Sequence, residues 1–347
     1  MKKMWKGNHA IAEAAMRAGC EFYAGYPITP QTEVSEYLSW RMPELGRRFL
    51  QAENEMAAVY MIFGAYACGM RSMTSSSGPG FSLKQEGIAY LCANNFPAVM
   101  VNVQRWGPGL GTLDSSQTDY LRDTRGNGDY RVIVFAPNSI QETVDLMYTA
   151  FDVAEKYRNP VEILSEAALG QMMEPVEFPP FKERKEDLGW TFDGTDRPHG
   201  RIDNPEKPDA LRRKVQAMSK NEQRWENYLV EDADYVFVAF GLPSRTSRNA
   251  VDQLRAQGHK VGLIRPITVW PFPYEAFKAV PETVKGFISV ESTDDGQLIE
   301  DVALAAKRMC KENVPVYGLF SGQKIPKTKE IIRYFEGIVS GEHKEVY

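Results

Sequence analysis

At 347 residues the chain is long enough for two domains, each with its own core. With 43% hydrophobic and 25% charged residues it has the make-up of an ordinary soluble globular protein, and a formal net charge of −5 argues against nucleic acid as a partner. No apolar run approaches the roughly 20 residues that span a bilayer. The opening MKKMWKGNHA lacks the apolar segment of a secretory signal, so a cytoplasmic protein without membrane contact is expected.

Asn8 is placed to cap a helix from His9 to Arg17 that stops at Gly19. Cys20 to Tyr26 reads as a strand. Thr29 before Pro30 then carries the N-cap and first-turn proline signal of a helix reaching about Trp40. A short strand, Phe49 to Ala52, leads into residues 55–68, where small and apolar side chains occupy almost every face, as in a helix enclosed by protein. Arg71 to Ser77 is the next strand, followed by a Gly78-Pro79-Gly80 turn and a helix from Ser82 to Asn94. Pro97 to Gln104 is a buried strand. The glycine-rich loop Arg105 to Asp129 is too long to be mere connection. Arg131 to Pro137 is a strand, Ser139 to Glu142 is a capping box for a helix to Lys156, and Val161 to Ser165 is again a strand.

Apolar strands alternating with helices indicate an α/β fold with a parallel sheet covered on both faces, here assigned to residues 1–173. From 174 the composition shifts to Pro, Gly and charge, so 174–230 reads as a linker carrying a polar helix from Pro208 to about Tyr228. Residues 231–347 form a second α/β unit. Its elements are strand Tyr235–Phe240, helix Ser244–Gln257, strand Lys260–Arg265, a turn Pro266–Pro273, strand Gly286–Glu291, helix Gln297–Cys310, strand Pro315–Phe320 and a last helix from Lys327.

Glu55 opens the enclosed helix. As a helix-start acid beside Asn54 it suits the macrodipole; as a carboxylate facing an apolar interior it needs a functional reason. Thr29 stands at a strand-to-helix junction, where the N–H groups of the helix receive an anion, and Arg105 follows a strand at the same sheet edge, offering a fork for a carboxylate. Cys20, Cys68, Cys92 and Cys310 form no CxxC pair, and His9, His199, His259 and His343 are dispersed, so no metal or cluster site is expected within the chain. Gly107-Pro108-Gly109-Leu110-Gly111 is not a dinucleotide loop, since Pro108 removes a donor. Asp129 precedes a strand and Tyr130 occupies the needed glycine, so Gly128-Asp129 with Asn159 is not a diphosphate–magnesium motif.

Taken together, GYPITP at 25–30, the Glu55 helix followed by TSSSGPG at 74–80, and VNVQRWGPGLGT at 101–112 resemble the α subunit of 2-oxoacid:ferredoxin oxidoreductases. GLIRPITVWPFP at 262–273 and GQLIEDV at 296–302 resemble its second domain, so the likeness covers nearly the whole chain in order. KQEG at 84–87, GPGLGT and YRNPVEIL at 157–164 resemble the branched-chain, 2-oxoisovalerate group. The resemblance implies a thiamine diphosphate pyrimidine-binding domain followed by a transketolase C-terminal-like domain. It implies that Glu55 activates the aminopyrimidine ring, with Ile28 and Ser76 beside the cofactor, and that Thr29 and Arg105 hold the substrate carboxylate. Thiamine diphosphate would be shared with a β subunit that carries Mg2+, the diphosphate site and a [4Fe-4S] cluster. Gamma and ferredoxin-like delta subunits, ferredoxin as electron acceptor and coenzyme A as co-substrate are implied as well.

The sequence departs from the family pattern at Trp106, where a small residue is expected, and at Ser292-Thr293-Asp294-Asp295, which replaces a more amide-rich turn. No Lys or Arg occurs between Arg105 and Arg122, while Asp114 and Asp119 do, so an apolar 2-oxo acid is the expected substrate, unless Arg122 or Arg125 folds back. A 2-oxoglutarate-specific member, a redox-free thiamine lyase or transferase component, and a catalytically silent assembly subunit remain as rival readings.

Overall fold

The computed structural model describes residues 2–183, 189, 191–192, 209–310 and 313–347. The chain runs β1 (Lys3–Lys6), α1 (Gly7–Arg17), β2 (Phe22–Gly25), α2 (Thr32–Glu44), β3 (Arg48–Gln51), α3 (Glu55–Ala67) and β4 (Ser72–Ser76). Next come α4 (Gly78–Leu83), α5 (Gln85–Ala93), β5 (Ala98–Gln104), α6 (Tyr120–Arg125), β6 (Ile133–Phe135), α7 (Ile140–Tyr157), β7 (Pro160–Glu166), α8 (Ala167–Gln171) and β8 (Met173–Val176). The second half holds α9 (Asp209–Asn221), β9 (Trp225–Tyr228), β10 (Tyr235–Val238), α10 (Gly241–Ala256), β11 (Val261–Pro266) and β12 (Thr268–Trp270). A 3-10 turn (Tyr274–Ala279), β13 (Gly286–Glu291), α11 (Leu298–Met309), β14 (Val316–Phe320) and α12 (Thr328–Ser340) complete it.

Two mainly parallel sheets result, as the alternation of elements predicts. The first has the order β12-β6-β7-β5-β4-β2-β3, and the second β14-β13-β10-β11-β9. Every residue of β5 and β7 is buried, which is why both strands are mainly apolar without a period-two alternation. Their full-length parallel register, Ala98 opposite Pro160 through Gln104 opposite Glu166, brings Arg105 and the residues after Glu166 to one edge.

Several local expectations are overturned by contacts from distant residues. Asn8 does not cap α1; it lies inside the helix, fully buried, and donates through Nδ2 to the Pro30 carbonyl and to Glu33, both at 2.7 Å. With that carbonyl occupied, residues 29–31 form a turn, closed by Gln31 N donating to the Ile28 carbonyl, and α2 begins only at Thr32. Thr29 is therefore not an N-cap, and the anion-receiving helix start predicted there is absent. Gly78-Pro79-Gly80 is the first turn of α4, not an isolated turn. The polar helix of the linker ends at Asn221, because residues 225–228 pair antiparallel with β11; its predicted start at Pro208 lies outside the described residues, as do linker residues 184–188, 190 and 193–207. The segment read as a Pro266–Pro273 turn contains β12, which crosses to the first sheet and pairs antiparallel with β6. A further pairing, β1 with β8, ties the N-terminus to the end of the first unit.

Candidate functional site

Parallel strands present their carboxyl ends at one sheet edge, and helix starts converge there. At that edge Asn54 caps α3 by accepting from Ala57 N at 2.8 Å, which sets Glu55 at the first helical position. The Glu55 side chain is 5% exposed, yet among the described residues no donor reaches its carboxylate. It packs against the next helix start: a Cβ at Gly80 would collide with Glu55 Oε1 and with Ser76 Oγ. Only glycine at 80 leaves that space. The hydroxyls of Ser76 and Ser77, at the end of β4, are buried without hydrogen-bond partners among the described residues. The Glu55 carboxylate and the two serine hydroxyls thus leave hydrogen-bonding capacity open at one place on the sheet edge.

Two residues before Gly80, the same backbone turn meets Arg105. Gly78, at φ +45°, would place a Cβ 3.4 Å from Arg105 Nε. Arg105 Nη1 donates to the Thr29 carbonyl and Nη2 to the Leu110 carbonyl at 2.9 Å, while Nε is buried with no partner. The guanidinium is thus oriented by two carbonyls, with the Nε–H among the donors left for a third group. The loop after it folds on itself: Thr112 N donates to the Trp106 carbonyl at 2.9 Å, and Trp106 N to the Asp114 carbonyl at 3.1 Å. Among the lining residues of the adjoining cavity, of about 430 Å³, are Gly78, Arg105, Trp106, Pro108, Asp119 and Arg122.

Arg122 does fold back to this cavity. All of its nitrogens are engaged, however: Nε and Nη2 with Asp123 at 2.7 and 3.1 Å, Nη2 also with Asp119 at 3.1 Å, and Nη1 with the Gly78 carbonyl at 2.7 Å. Asn102 donates to both of these aspartates. Burial pushes the Asp119 carboxyl up, opposed by Arg122, and burial together with Asp123 raises that of Glu162 well above the usual range. The other cation, Arg125, pairs with Asp301 at 2.8 Å.

The two departures from the family pattern touch each other: Trp106 Nε1 donates to Asp294 Oδ2 at 2.7 Å. The turn that carries Asp294 is held rigidly, since Ser292 O accepts from Gln117 N and Ser116 Oγ, both at 2.8 Å, and Ser292 N donates to Gln117 Oε1. The second unit therefore fixes the loop that carries the Arg105 clamp.

Of the predicted site residues, Glu55, Ser76 and Arg105 meet around Gly78 and Gly80. Thr29 joins through its backbone carbonyl; its side chain is exposed, and Ile28 next to it is half-buried. Sequence reasoning passed over Lys84 as part of KQEG alone. Its only signal was a lysine set among Phe81, Leu83 and Ile88, a cation at an apolar helix joint. The side chain is fully buried behind Glu55, with Nζ donating to the Glu55 carbonyl at 3.2 Å and to Thr74 Oγ1 at 3.0 Å.

The unpartnered carboxylate and serine hydroxyls suit the polar edge of a planar nitrogen heterocycle, and the free Arg105 Nε suits a carboxylate. Comparison with known proteins agrees with that chemistry. Residues 13–235 match the thiamine diphosphate-binding family of pyruvate flavodoxin/ferredoxin oxidoreductases, and residues 233–331 match the pyruvate:ferredoxin oxidoreductase core domain II. The chain is 48% identical over 316 residues to ketoisovalerate oxidoreductase subunit VorB of Methanothermobacter marburgensis, covering 88% of this chain and 90% of that one. It is 38% identical over 347 residues to 2-oxoglutarate synthase subunit KorA of Methanocaldococcus jannaschii, covering 87% and 94%. Among solved structures, 2-oxoglutarate:ferredoxin oxidoreductase from Magnetococcus marinus superposes with a TM-score of 0.83 at 25% identity; 96% of this chain is covered but only 65% of that longer chain. A split-gene transketolase shares the fold alone, with a TM-score of 0.62 at 14% identity. Two family models that together span most of the sequence, and relatives matched nearly end to end, place this chain in the 2-oxoacid:ferredoxin oxidoreductase subunit family.

Proposed function

We propose that the chain is the cofactor-activating, carboxylate-binding subunit of an enzyme that oxidatively decarboxylates 2-oxo acids with branched apolar side chains, transferring the acyl group to coenzyme A. When bound, thiamine diphosphate supplies the carbon that attacks the oxo group and the sink for the electrons that remain when CO2 leaves. This chain's residues do the rest of the work at the near half of the site. Glu55 holds and exchanges a proton at the pyrimidine ring, where no other group competes for its carboxylate. Ser76 and Ile28 stand beside the ring. Arg105 Nε receives the substrate carboxylate next to Thr29, its remaining nitrogens locked by two carbonyls so that little reorganisation is needed.

The observation that carries the substrate class is the neutralised Arg122. Among the described residues it is the one further cation lining the cavity beside Arg105, and Asp119 and Asp123 already satisfy it. A second carboxylate on the substrate would find no further unpaired cation among the described lining residues and would face Asp119. Trp106 and Pro108 offer apolar surface instead. Methylene contacts in such a pocket discriminate by about 1–3 kcal/mol each.

The diphosphate, Mg2+ and [4Fe-4S] clusters are assigned to a β subunit, with gamma and delta subunits and ferredoxin completing electron transfer. The reconstituted complex should turn over 2-oxoisovalerate with a higher kcat/KM than phenylglyoxylate, pyruvate or 2-oxoglutarate. A preference for 2-oxoglutarate in side-by-side kinetics would overturn the pocket argument.

A further inference from the structure

Lys84 joins α4 to α5, and its amine lies in the interior with 0% exposure. An ammonium in such a place is costly unless a carboxylate pairs with it. Among the described residues no carboxylate oxygen comes within salt-bridge distance; the acceptors are the Glu55 carbonyl and Thr74 Oγ1. Packing does not require the charge, since methionine fills a similar volume. The elements around it bring little else that is charged. Helix α3 brings Glu55, β4 brings the neutral Thr74, and α5 brings the neutral Gln85 and an outward, exposed Glu86. Burial holds the amine down at about 7, and the opposing influence is the charge of Glu55.

We propose that Lys84 is a positioning residue for Glu55: by donating to the Glu55 carbonyl and to Thr74 Oγ1 it fastens the head of α3 to β4, which sets the direction of the Glu55 side chain towards the pyrimidine. The cost of burying the amine is thereby tied to the reaction and not to the fold. This rests on the reading of Glu55 as the cofactor activator.

The unfolded chain holds the Lys84 proton up to about 10.5, whereas the folded chain releases it from about 7. The unfolded state binds more protons between those values, so stability gained from this residue rises with pH across that window. Lys84→Met is the test, made in the isolated chain and in the reconstituted holoenzyme. In the isolated chain Tm at pH 7 should be unchanged or higher, and the part of its rise between pH 7 and 10 owed to Lys84 should vanish. In the holoenzyme kcat should fall at least tenfold with KM for the 2-oxo acid unchanged, and the double variant with Glu55→Gln should be no slower than Glu55→Gln alone. Wild-type kcat in Lys84→Met, or a loss that merely follows a lowered Tm, would make Lys84 a structural peg and overturn the proposal. If Lys84→Met does not fold, Lys84→Gln is judged by the same outcomes. Should Glu55→Gln itself retain full activity, the Glu55 reading fails and not the Lys84 geometry.

Discussion

Glu55 and Glu291 are both buried carboxylates at a strand–helix junction, Glu55 entering α3 after β3 and Glu291 closing β13 ahead of α11. Glu291 is saturated. Its oxygens accept from Gln297 N, Leu298 N and Ile299 N at 2.6, 2.8 and 2.9 Å, and from Ser289 Oγ at 2.7 Å. It serves as a cap, satisfying the orphan donors of α11 from a strand away. Glu55 receives no donor among the described residues, and the serine hydroxyls near it are equally without partners. Burial alone therefore does not distinguish a structural acid from a reactive one. The difference lies in how much hydrogen-bonding capacity the fold leaves open.

Substitution at the open acid should have the largest effect. Glu55→Gln should leave Tm and assembly unchanged and lower kcat by roughly 10²–10⁴-fold, since an amide cannot exchange the proton. Steady-state kinetics and hydrogen exchange at the thiazolium C2 of the holoenzyme measure it. The saturated acid should respond in the opposite sense. Glu291→Gln puts an amide N–H against backbone donors and should lower stability by about 1–3 kcal/mol in urea unfolding, with kcat per folded molecule unchanged. Full activity in the first variant, or unaltered stability in the second, would break the contrast.

A third buried acid sharpens it. Glu166 is half saturated: Oε1 accepts from Leu242 N and Gln117 Nε2, while Oε2 has no partner. Burial pushes its carboxyl up to about 8. The folded state then binds more protons than the unfolded state between about 4.5 and 8, so stability from this group is full at low pH and is lost as pH rises through that window. Glu166→Gln should flatten the fall of Tm with pH and raise Tm at pH 8, which a thermal melt series checks. The smallest effect belongs to the loop contact between the units. Trp106→Phe removes the indole donor to Asp294, a partly exposed bond of about 1 kcal/mol, and should raise KM for the 2-oxo acid about fivefold with kcat nearly unchanged. Asp294→Asn, which keeps an acceptor for an intact Trp106, should leave KM close to the wild-type value.

The alternation of apolar strands and helices was plain in the sequence because burial on both sheet faces leaves runs such as AVMVNVQ and PVEILSE. Residues 225–228, WENY, carried no such run, because β9 is an edge strand whose side chains stay partly exposed. Strand β12 was hidden by the flanking Pro266 and Pro271, and its partner β6 lies more than a hundred residues away. Thr29 had the local signature of a cap, yet Asn8 took the Pro30 carbonyl and moved the helix start to Thr32. Local signals failed wherever a distant side chain offered a better bond.

For the site, the sequence by itself determined the residue types and their order: Glu55 after a capping Asn54, Arg105 after a buried strand, and a glycine at 78 and 80. Those follow from helix caps, strand patterning and backbone freedom, all short-range effects. Only the tertiary structure decided that Arg122 returns to the cavity already neutralised, that Trp106 binds Asp294, and that Lys84 is enclosed behind Glu55. Charge pairing and burial are properties of what packs against a side chain, and residues adjacent in the chain do not specify their neighbours in space.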